Sequence, residues 1–239
     1  MKPIASRTVR ALAAAAALAL AAPAAAEDAP PPPWIMTGAN TVTVAVIWDA
    51  ASLEGLLPEG LEPADDVSGG VNIYTAEGGY GLSPYSAAYA YVNVKGRTTA
   101  AGAGARHVIQ GYYGPDPKLA AAMRTWFGAV IDTGESSQRA ADGTWTGEGG
   151  GDGATLTITV TPGPESGCVP LAGGLNYVGE AGPGDGFGLL RIPFAGTYCP
   201  ATPVSVEISG PEGSRFGQLK VANPVAAWRL RDAAFAFAR

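Results

Sequence analysis

The apolar positions of this 239-residue chain mostly alternate with polar positions over short runs. That spacing predicts half-buried β-strands. Strands are predicted at residues 41–47, 71–76, 87–94, 106–113, 154–160 and 204–209. Glycine-dense segments at residues 147–153 and 182–186 predict turns, and residues 225–230 and 233–238 predict a terminal hairpin around Arg231 and Asp232. The pattern therefore favours a mainly β fold.

Two segments depart from this alternation and predict short helices. Asp49 is suited to cap the first helix, which should end before Pro58. Its apolar residues are Leu53, Leu56 and Leu57. Asp116 is suited to cap the second helix, with Pro117 as its first residue. Its apolar face, at the i, i+4, i+7 spacing, consists of Leu119, Met123 and Trp126.

Residues 1–26 have the pattern of a secretory signal peptide. Three basic residues, Lys2, Arg7 and Arg10, precede an alanine and leucine run at residues 11–22, and a small-residue site follows. Cleavage is predicted after Ala26. An uncleaved membrane anchor is the alternative, but the run has only about half of the ~20 apolar residues that a spanning helix needs. We therefore expect a periplasmic or secreted protein.

Residues 27–33 contain four consecutive prolines and predict a stiff tether that cannot join a sheet. Residues 34–239 show neither a fixed repeat nor a change in composition, so we expect one domain there. Without its leader, the chain has 12 basic and 21 acidic residues, a formal charge of −9 with the single histidine neutral. Phosphate backbones and anionic lipid would be repelled. No nucleic acid or membrane partner is expected after cleavage, and the oligomeric state is left open.

Cys168 and Cys199 are the two cysteines of the chain. In an exported protein an even count predicts a disulfide. A catalytic thiol is the alternative, but neither cysteine has a basic or histidine neighbour that would lower its pKa. Neither a cofactor nor a metal is expected. The glycines form no phosphate-binding motif, and the Gly-Asp-Gly segments around Asp152 and Asp185 each offer one carboxylate, so we interpret them as hairpin turns.

Several short motifs occur in the order found in the acetoacetate decarboxylase superfamily, and the chain resembles that superfamily. The first is the Leu-Pro-Glu-Gly-Leu-Glu-Pro segment at residues 57–63. It is followed by Ser-Pro-Tyr-Ser-Ala at residues 83–87, and by the segment from Arg124 to Asp132 after the second helix. The resemblance implies a cone-shaped antiparallel β-barrel with two short helices, enclosing an apolar pocket.

In that superfamily a buried lysine forms a Schiff base with a β-keto acid, and a neighbouring cation and desolvation lower its pKa. Here the two lysine positions hold Ile131 and Asp132. The two glutamate positions hold Ala87 and Thr125. The remaining lysines of the mature chain, Lys95, Lys118 and Lys220, fall outside the motif. Schiff-base decarboxylation is therefore not expected, and the resemblance leaves open whether the protein is an enzyme.

What remains at the resembling positions is Arg124, with aromatic residues near the same wall. An arginine in an apolar pocket can hold a carboxylate through two parallel hydrogen bonds. The expected ligand-binding residues are Arg124, Trp126, Phe127, Tyr85 and His107. In the alternative interpretation, Arg124 pairs with a structural acid and the aromatic residues are core. Alternation also places His107 and Arg106 on opposite faces of their strand.

Three hypotheses follow from these residues. The first is an exported, decarboxylase-like barrel that binds a small carboxylate or apolar ligand without Schiff-base catalysis. The second is an enzyme of the same fold with other chemistry, such as hydration, dehydration or an aldol-type step. The third is a structural or partner-binding periplasmic domain, which a filled barrel and an exposed apolar patch would favour.

Overall fold

The computed structural model describes residues 32–98, 104–180 and 186–237. The predicted signal peptide, most of the tether and most of the turn predicted at residues 182–186 lie outside these ranges. Within them, no helix has both the length and the apolar character needed to cross a bilayer.

The described residues form eleven strands, most of them paired antiparallel. Their bounds in the first half of the chain are β1 (Trp34–Trp48), β2 (Ser68–Ala76), β3 (Tyr85–Thr98), β4 (Gly104–Gly114), β5 (Ile131–Thr133) and β6 (Glu135–Ala141). The remaining strands are β7 (Thr144–Gly151), β8 (Ala154–Pro162), β9 (Val169–Glu180), β10 (Phe187–Ser209) and β11 (Val221–Phe237).

The helices are short, and both predicted ones are present, although the first ends at Leu53 and leaves Leu56 and Leu57 outside it. Helix α1 (Pro117–Phe127) begins where the Asp116 carboxylate accepts the Lys118 N–H at 2.9 Å, and it ends at Gly128, whose φ is +57°. Asp49 caps a 3₁₀ helix (Ala50–Leu53) by accepting the Ala51 N–H at 3.0 Å. The other two helical segments are a 3₁₀ turn (Glu165–Gly167) and α2 (Arg215–Gln218).

Seven strands close into a barrel, in the order β11, β1, β2, β3, β4, β9 and β10, with β10 pairing back to β11. The mainly β barrel predicted from the sequence is confirmed. Two pairings are parallel: β4 with β5, and β4 with β9 through the single pair Arg106 and Tyr177. Among the described residues that seam therefore has a single β-bridge, and hydrogen bonds from the side chains of His107 and Asn176 to the Val178 and Gly104 carbonyls also cross it.

Strands β6, β7 and β8 form a second layer, which we call the flanking sheet. Strand β10 connects the two layers, because residues 187–198 pair with β9 and residues 201–209 pair with β8. Aliphatic residues fill the space between the flanking sheet and the outer face of β1–β3. This aliphatic core includes Val42, Val44, Val46, Val71, Ile73, Leu156, Ile158 and Val160.

The predicted terminal hairpin around Arg231 and Asp232 is wrong. Strand β11 runs unbroken through both residues, and a β-bulge lies where the turn was expected. Between the pairs Ala39–Ala233 and Thr41–Leu230, β1 advances by two residues and β11 by three. Asp232 takes the extra position with φ of +48°. Because β1 and β10 pair with β11 on its two sides, the chain continues along the barrel wall instead of reversing.

The turn predicted at residues 147–153 is correct only at its end. Asp152 and Gly153 form a tight turn with φ values of +52° and +77°, and the preceding glycines belong to β7. A Cβ atom on Gly147 would lie 2.8 Å from Val42 Cγ1, and one on Gly149 would lie 2.7 Å from the Cβ of Ala88. These glycines let the flanking sheet approach the barrel closely.

Cys168 and Cys199 form the predicted disulfide, and the described residues contain no free cysteine. The bond joins the residue just before β9 to the middle of β10. Because both sulfur atoms are in the disulfide, neither residue offers a thiolate in this form of the protein, and the thiol-nucleophile alternative does not apply to it.

Candidate functional site

The barrel interior contains a cavity of about 100 Å³. Alternation along the strands produces it, because residues that flank the aliphatic positions of the same strands point to the other face. Strand β1 contributes Thr41 and Thr43 between its buried valines, and β2 contributes Asn72 and Tyr74. The far end is apolar and is lined by Met36, Ile192, Phe194, Phe235 and Phe237. The cavity therefore has a polar wall and an apolar end.

Arg106, on β4, is the cation of this cavity. Its guanidinium carbon lies 4.5 Å from the ring centre of Tyr91 and 5.5 Å from that of Tyr177, so aromatic faces hold it on two sides. No carboxylate among the described residues forms an ion pair with it. Burial lowers the pKa of Arg106, but Tyr91, Tyr177 and Tyr89 outweigh burial and leave that pKa above its usual value. The cavity therefore carries a fixed positive charge.

Tyr89, which lines the cavity together with Arg106, belongs to a cluster of buried tyrosines that supply hydroxyl groups. The hydroxyl oxygens of Tyr89 and Tyr177 lie 2.7 Å apart, and the Tyr74 hydroxyl donates to that of Tyr85 at 3.3 Å. Burial raises the pKa of Tyr74, Tyr85, Tyr89 and Tyr113. These hydroxyls stay protonated at neutral pH, so they can act as hydrogen-bond donors but not as bases.

A second cavity of about 40 Å³ lies against helix α1 and β5. It shares four lining residues with the first cavity: Tyr113, Tyr177, Ile192 and Phe237. Ile131, one of the two positions that the resemblance assigns to lysine, lines it and is 2% exposed. The other position, Asp132, is half-exposed, and its carboxylate accepts the Gln110 side-chain N–H at 2.9 Å. A hydrocarbon side chain therefore occupies the position that points into the barrel.

Of the residues expected to bind a ligand, Phe127 lines the second cavity, and Tyr85 contacts the lining residues Tyr74 and Tyr113 without lining either cavity. Arg124 and Trp126 line neither cavity. Arg124 is about half exposed; its guanidinium donates to the Ile131 carbonyl and lies 3.6 Å from the Asp132 carboxylate. This geometry matches the alternative interpretation, in which Arg124 pairs with a structural acid.

His107 faces away from the cavity, as alternation with Arg106 predicts. It is 1% exposed, and its Nδ1 lies 3.0 Å from the Val178 carbonyl, which can only accept, so Nδ1 carries the proton. Its Nε2 is buried and has no hydrogen-bond partner among the described residues. Burial lowers the pKa of His107, so the ring is neutral at neutral pH.

None of the described lysines, Lys95, Lys118 and Lys220, lines either cavity. Lys95 lies at the surface, 2.6 Å from the Asp65 carboxylate, which raises the pKa of this amine. Lys118 and Lys220 are exposed. No group of side chains suited to holding a metal ion occurs within the described part of the chain.

The role of Arg106 was not predicted from the sequence, although alternation placed this residue opposite His107. A signal was present in β3, where Tyr85, Tyr89 and Tyr91 recur on the interior face of the strand that pairs with β4. A charged residue facing such an aromatic row is the one to examine for ligand binding. Which face of β4 points into the barrel, however, depends on how the barrel closes, and the sequence of β4 does not specify this.

No family sequence profile and no curated protein sequence matches the chain. Solved structures do. Acetoacetate decarboxylase from Legionella pneumophila is 14% identical, with a TM-score of 0.64 over 92% of this chain and 90% of that one. The enduracididine biosynthesis enzyme MppR, solved with pyruvate, is 14% identical, with a TM-score of 0.61 over 87% of this chain and 89% of that one.

A third match is an acetoacetate decarboxylase-like enzyme from Sphingomonas wittichii RW1, which is 16% identical with a TM-score of 0.55. It covers 85% of this chain and 89% of the other. The chain thus has the acetoacetate decarboxylase-like fold over nearly its whole described length. Identities this low establish the fold and leave the activity to the residues of the cavity.

Proposed function

We propose that this protein binds a small organic carboxylate in the barrel cavity and does not carry out Schiff-base decarboxylation. The observation that carries the proposal is Arg106, a cavity-lining guanidinium held by tyrosine rings and without a carboxylate partner among the described residues. A ligand carboxylate supplies the missing countercharge. An apolar or aromatic ligand body then occupies the end lined by Met36, Phe235 and Phe237.

The cavity volume limits the size of this ligand. A pocket of about 100 Å³ is of the order of cavities known to bind benzene in proteins, which are roughly 150 Å³. A short-chain acid fits these dimensions, and a monocyclic aromatic acid, which is larger than benzene, would also occupy the adjoining cavity of about 40 Å³. Benzoate is therefore the probe of choice.

The absence of decarboxylase chemistry is supported by the position of Ile131 and by the lysines, none of which lines either cavity among the described residues. Without an amine, no imine can form to accept the electrons released on decarboxylation. Purified protein should not convert acetoacetate to acetone above the background rate. Measurable turnover that survives substitution of all three lysines would instead favour an enzyme with other chemistry, the second hypothesis.

The binding test compares Arg106→Leu with the unchanged protein by isothermal titration of benzoate. Hydrogen bonds to charged groups are worth about 1.5–3 kcal/mol, so Arg106→Leu should weaken binding by about 10- to 100-fold. Arg139→Leu, on the exposed strand β6, is the matched control and should change affinity by less than about twofold. Arg124→Leu is the third arm of the experiment.

If Arg124→Leu causes the large loss and Arg106→Leu does not, the carboxylate is held at the helix as the sequence suggested. If the unchanged protein binds neither benzoate nor butyrate at millimolar concentration, the binding proposal is wrong.

Export belongs to the same proposal and rests on the leader at residues 1–26 together with the disulfide, since disulfides persist in oxidising compartments. The protein recovered from the producing cells should begin at Glu27. An intact amino terminus in a cytosolic fraction would contradict export.

A further inference from the structure

We infer that the ligand of this cavity carries a hydroxyl or N–H donor in addition to its carboxylate, and that Asn72 binds this donor. The inference rests on the proposed function and deepens it by naming the class of acid. Asn72 lies on β2, directly beside Thr43 of β1 and Tyr89 of β3 in the strand register, and all three line the cavity. It belongs to the polar wall of the cavity.

The amide oxygen of Asn72 is buried and has no hydrogen-bond partner among the described residues. Burying a carbonyl oxygen without a donor loses its hydration and gains nothing in return. The adjacent β2 residues Val71 and Ile73 face the aliphatic core, so leucine would serve a purely structural role at position 72 better than asparagine. An unpaired amide oxygen on a residue that lines a cavity is suited to pairing with a ligand donor.

The chemistry of the two polar groups sets the orientation of the ligand. A carbonyl oxygen accepts hydrogen bonds and repels a carboxylate, so the anion belongs at Arg106 and the donor at Asn72. Thr41 contributes along the same wall: its hydroxyl oxygen accepts the Leu230 N–H at 3.3 Å, which leaves the hydroxyl hydrogen for another acceptor. Small hydroxy acids, with hydroxyl-substituted aromatic acids among them, present the required combination.

The experiment compares benzoate, 3-hydroxybenzoate, 4-hydroxybenzoate and the methyl ethers of both phenols by isothermal titration. A neutral hydrogen bond is worth about fivefold to tenfold in affinity. One hydroxybenzoate should therefore bind about fivefold to tenfold more tightly than benzoate. Its methyl ether, which cannot donate, should bind no more tightly than benzoate.

Asn72→Leu, a change of similar shape, should abolish the advantage of the hydroxyl, so that the ratio of hydroxybenzoate affinity to benzoate affinity falls to about one. It should also melt at or above the temperature of the unchanged protein, because it removes an unpaired buried oxygen. Asn72→Ala is the second variant should Asn72→Leu fold poorly. Asn176→Leu is the matched control, since Asn176 also has a buried, unpaired oxygen among the described residues but lines neither cavity. It should retain the hydroxyl preference.

The outcomes distinguish failure of this inference from failure of the proposed function on which it rests. If benzoate binds through Arg106 but neither hydroxyl improves affinity, the donor inference fails and carboxylate binding stands. The donor inference also fails, with carboxylate binding intact, if the gain persists in Asn72→Leu. If the methyl ethers bind more tightly than benzoate, the amide presents its N–H to the ligand, and the donor assignment is overturned. If no acid binds, the proposed function itself fails.

Discussion

The two faces of the same barrel strands differ in almost every physical property. On the outer face, valine, isoleucine and leucine pack against the flanking sheet, with glycine and alanine where the layers come closest. On the inner face, tyrosines, Thr43, Asn72 and Arg106 surround a cavity. Strands β1 and β2 contribute to both faces at alternate residues. Dense apolar packing on one face can support the fold while the other face leaves polar groups for a ligand.

Adjacent residues on β4 show the same contrast at the smallest scale. Arg106 faces the cavity and stays charged among tyrosine rings, whereas His107 faces the aliphatic side and is neutral. One step along a strand therefore separates a candidate binding residue from a structural one. The comparison can be tested by making identical changes on the two faces.

The largest effect on stability is expected for Ile158→Ala in the aliphatic core. Ile158 is fully buried between the layers, so this change should cost about 3–5 kcal/mol of unfolding free energy through lost burial and a new cavity. Ile192→Ala makes the same chemical change beside the existing cavities, and we expect it to cost about 2 kcal/mol or less. Urea denaturation measures both values.

The order of the two effects should be reversed for binding. Ile192→Ala should change the affinity for benzoate, whereas Ile158→Ala should leave it within about twofold. Equal stability costs for the two changes would mean that the barrel interior is packed as tightly as the aliphatic core, and would break the comparison.

An intermediate effect is expected for Ile131→Lys, which restores an amine where the resemblance places the Schiff-base lysine. Burying a neutral amine without partners should cost roughly 1–3 kcal/mol. Desolvation should lower the pKa of this amine well below its usual value near 10.4, so that it is nucleophilic at neutral pH. Acetoacetate with cyanoborohydride should then label the variant covalently at residue 131, as mass spectrometry of peptides would show.

Asp132→Lys is the control for this experiment. Residue 132 is half-exposed and points away from the second cavity, so a lysine there should keep an ordinary pKa and label slowly. Rapid labelling of Asp132→Lys with none of Ile131→Lys would show that residue 131 does not present its side chain to the cavity.

The smallest effect concerns pH and His107. Burial lowers the pKa of His107 below 6.5 in the folded protein, so the unfolded chain binds the proton more readily. The stability contribution is complete above pH 6.5 and is lost as pH falls below it, by up to about 1.4 kcal/mol per pH unit. His107→Asn, which can keep a donor to the Val178 carbonyl, should lose less stability than the unchanged protein between about pH 7 and pH 5.5, by up to about 1 kcal/mol.

Thermal or urea unfolding at several pH values gives this difference. Identical pH profiles for His107→Asn and the unchanged protein would place the titrating group elsewhere. Benzoate affinity should not follow the same profile, because His107 does not line the cavity.

Much of the fold could be predicted from local patterns. Alternation located most barrel strands, the caps Asp49 and Asp116 located two helices, and the even cysteine count identified the disulfide. Strand β9 was missed because its first residues, including Gly173 and Gly174, are exposed and lack a buried face. The bulge at Asp232 was predicted as a turn, since an isolated residue with positive φ is compatible with both until the neighbouring strands are known.

The candidate site could be predicted only in part. The motif order indicated an apolar pocket and the loss of the lysine at Ile131, because those features lie in contiguous segments. The neighbouring sequence could not show which arginine lines the cavity, since the residues around Arg124 and around Arg106 are equally compatible with that position. Arg124 lies outside the cavities and contacts Asp132 and the Ile131 carbonyl, which a helix and the following strand bring together.

The sequence by itself determined which residues alternate, where helices begin and which cysteines can pair, because these depend on interactions between near neighbours and on composition. Only the tertiary structure decided which face of each strand is enclosed. That decision depends on closure of β4 against β9 and of β10 against β11, contacts between residues far apart in the chain. When the barrel closes, one face of its strands encloses a cavity. The flanking sheet covers the other face and forms the aliphatic core with it.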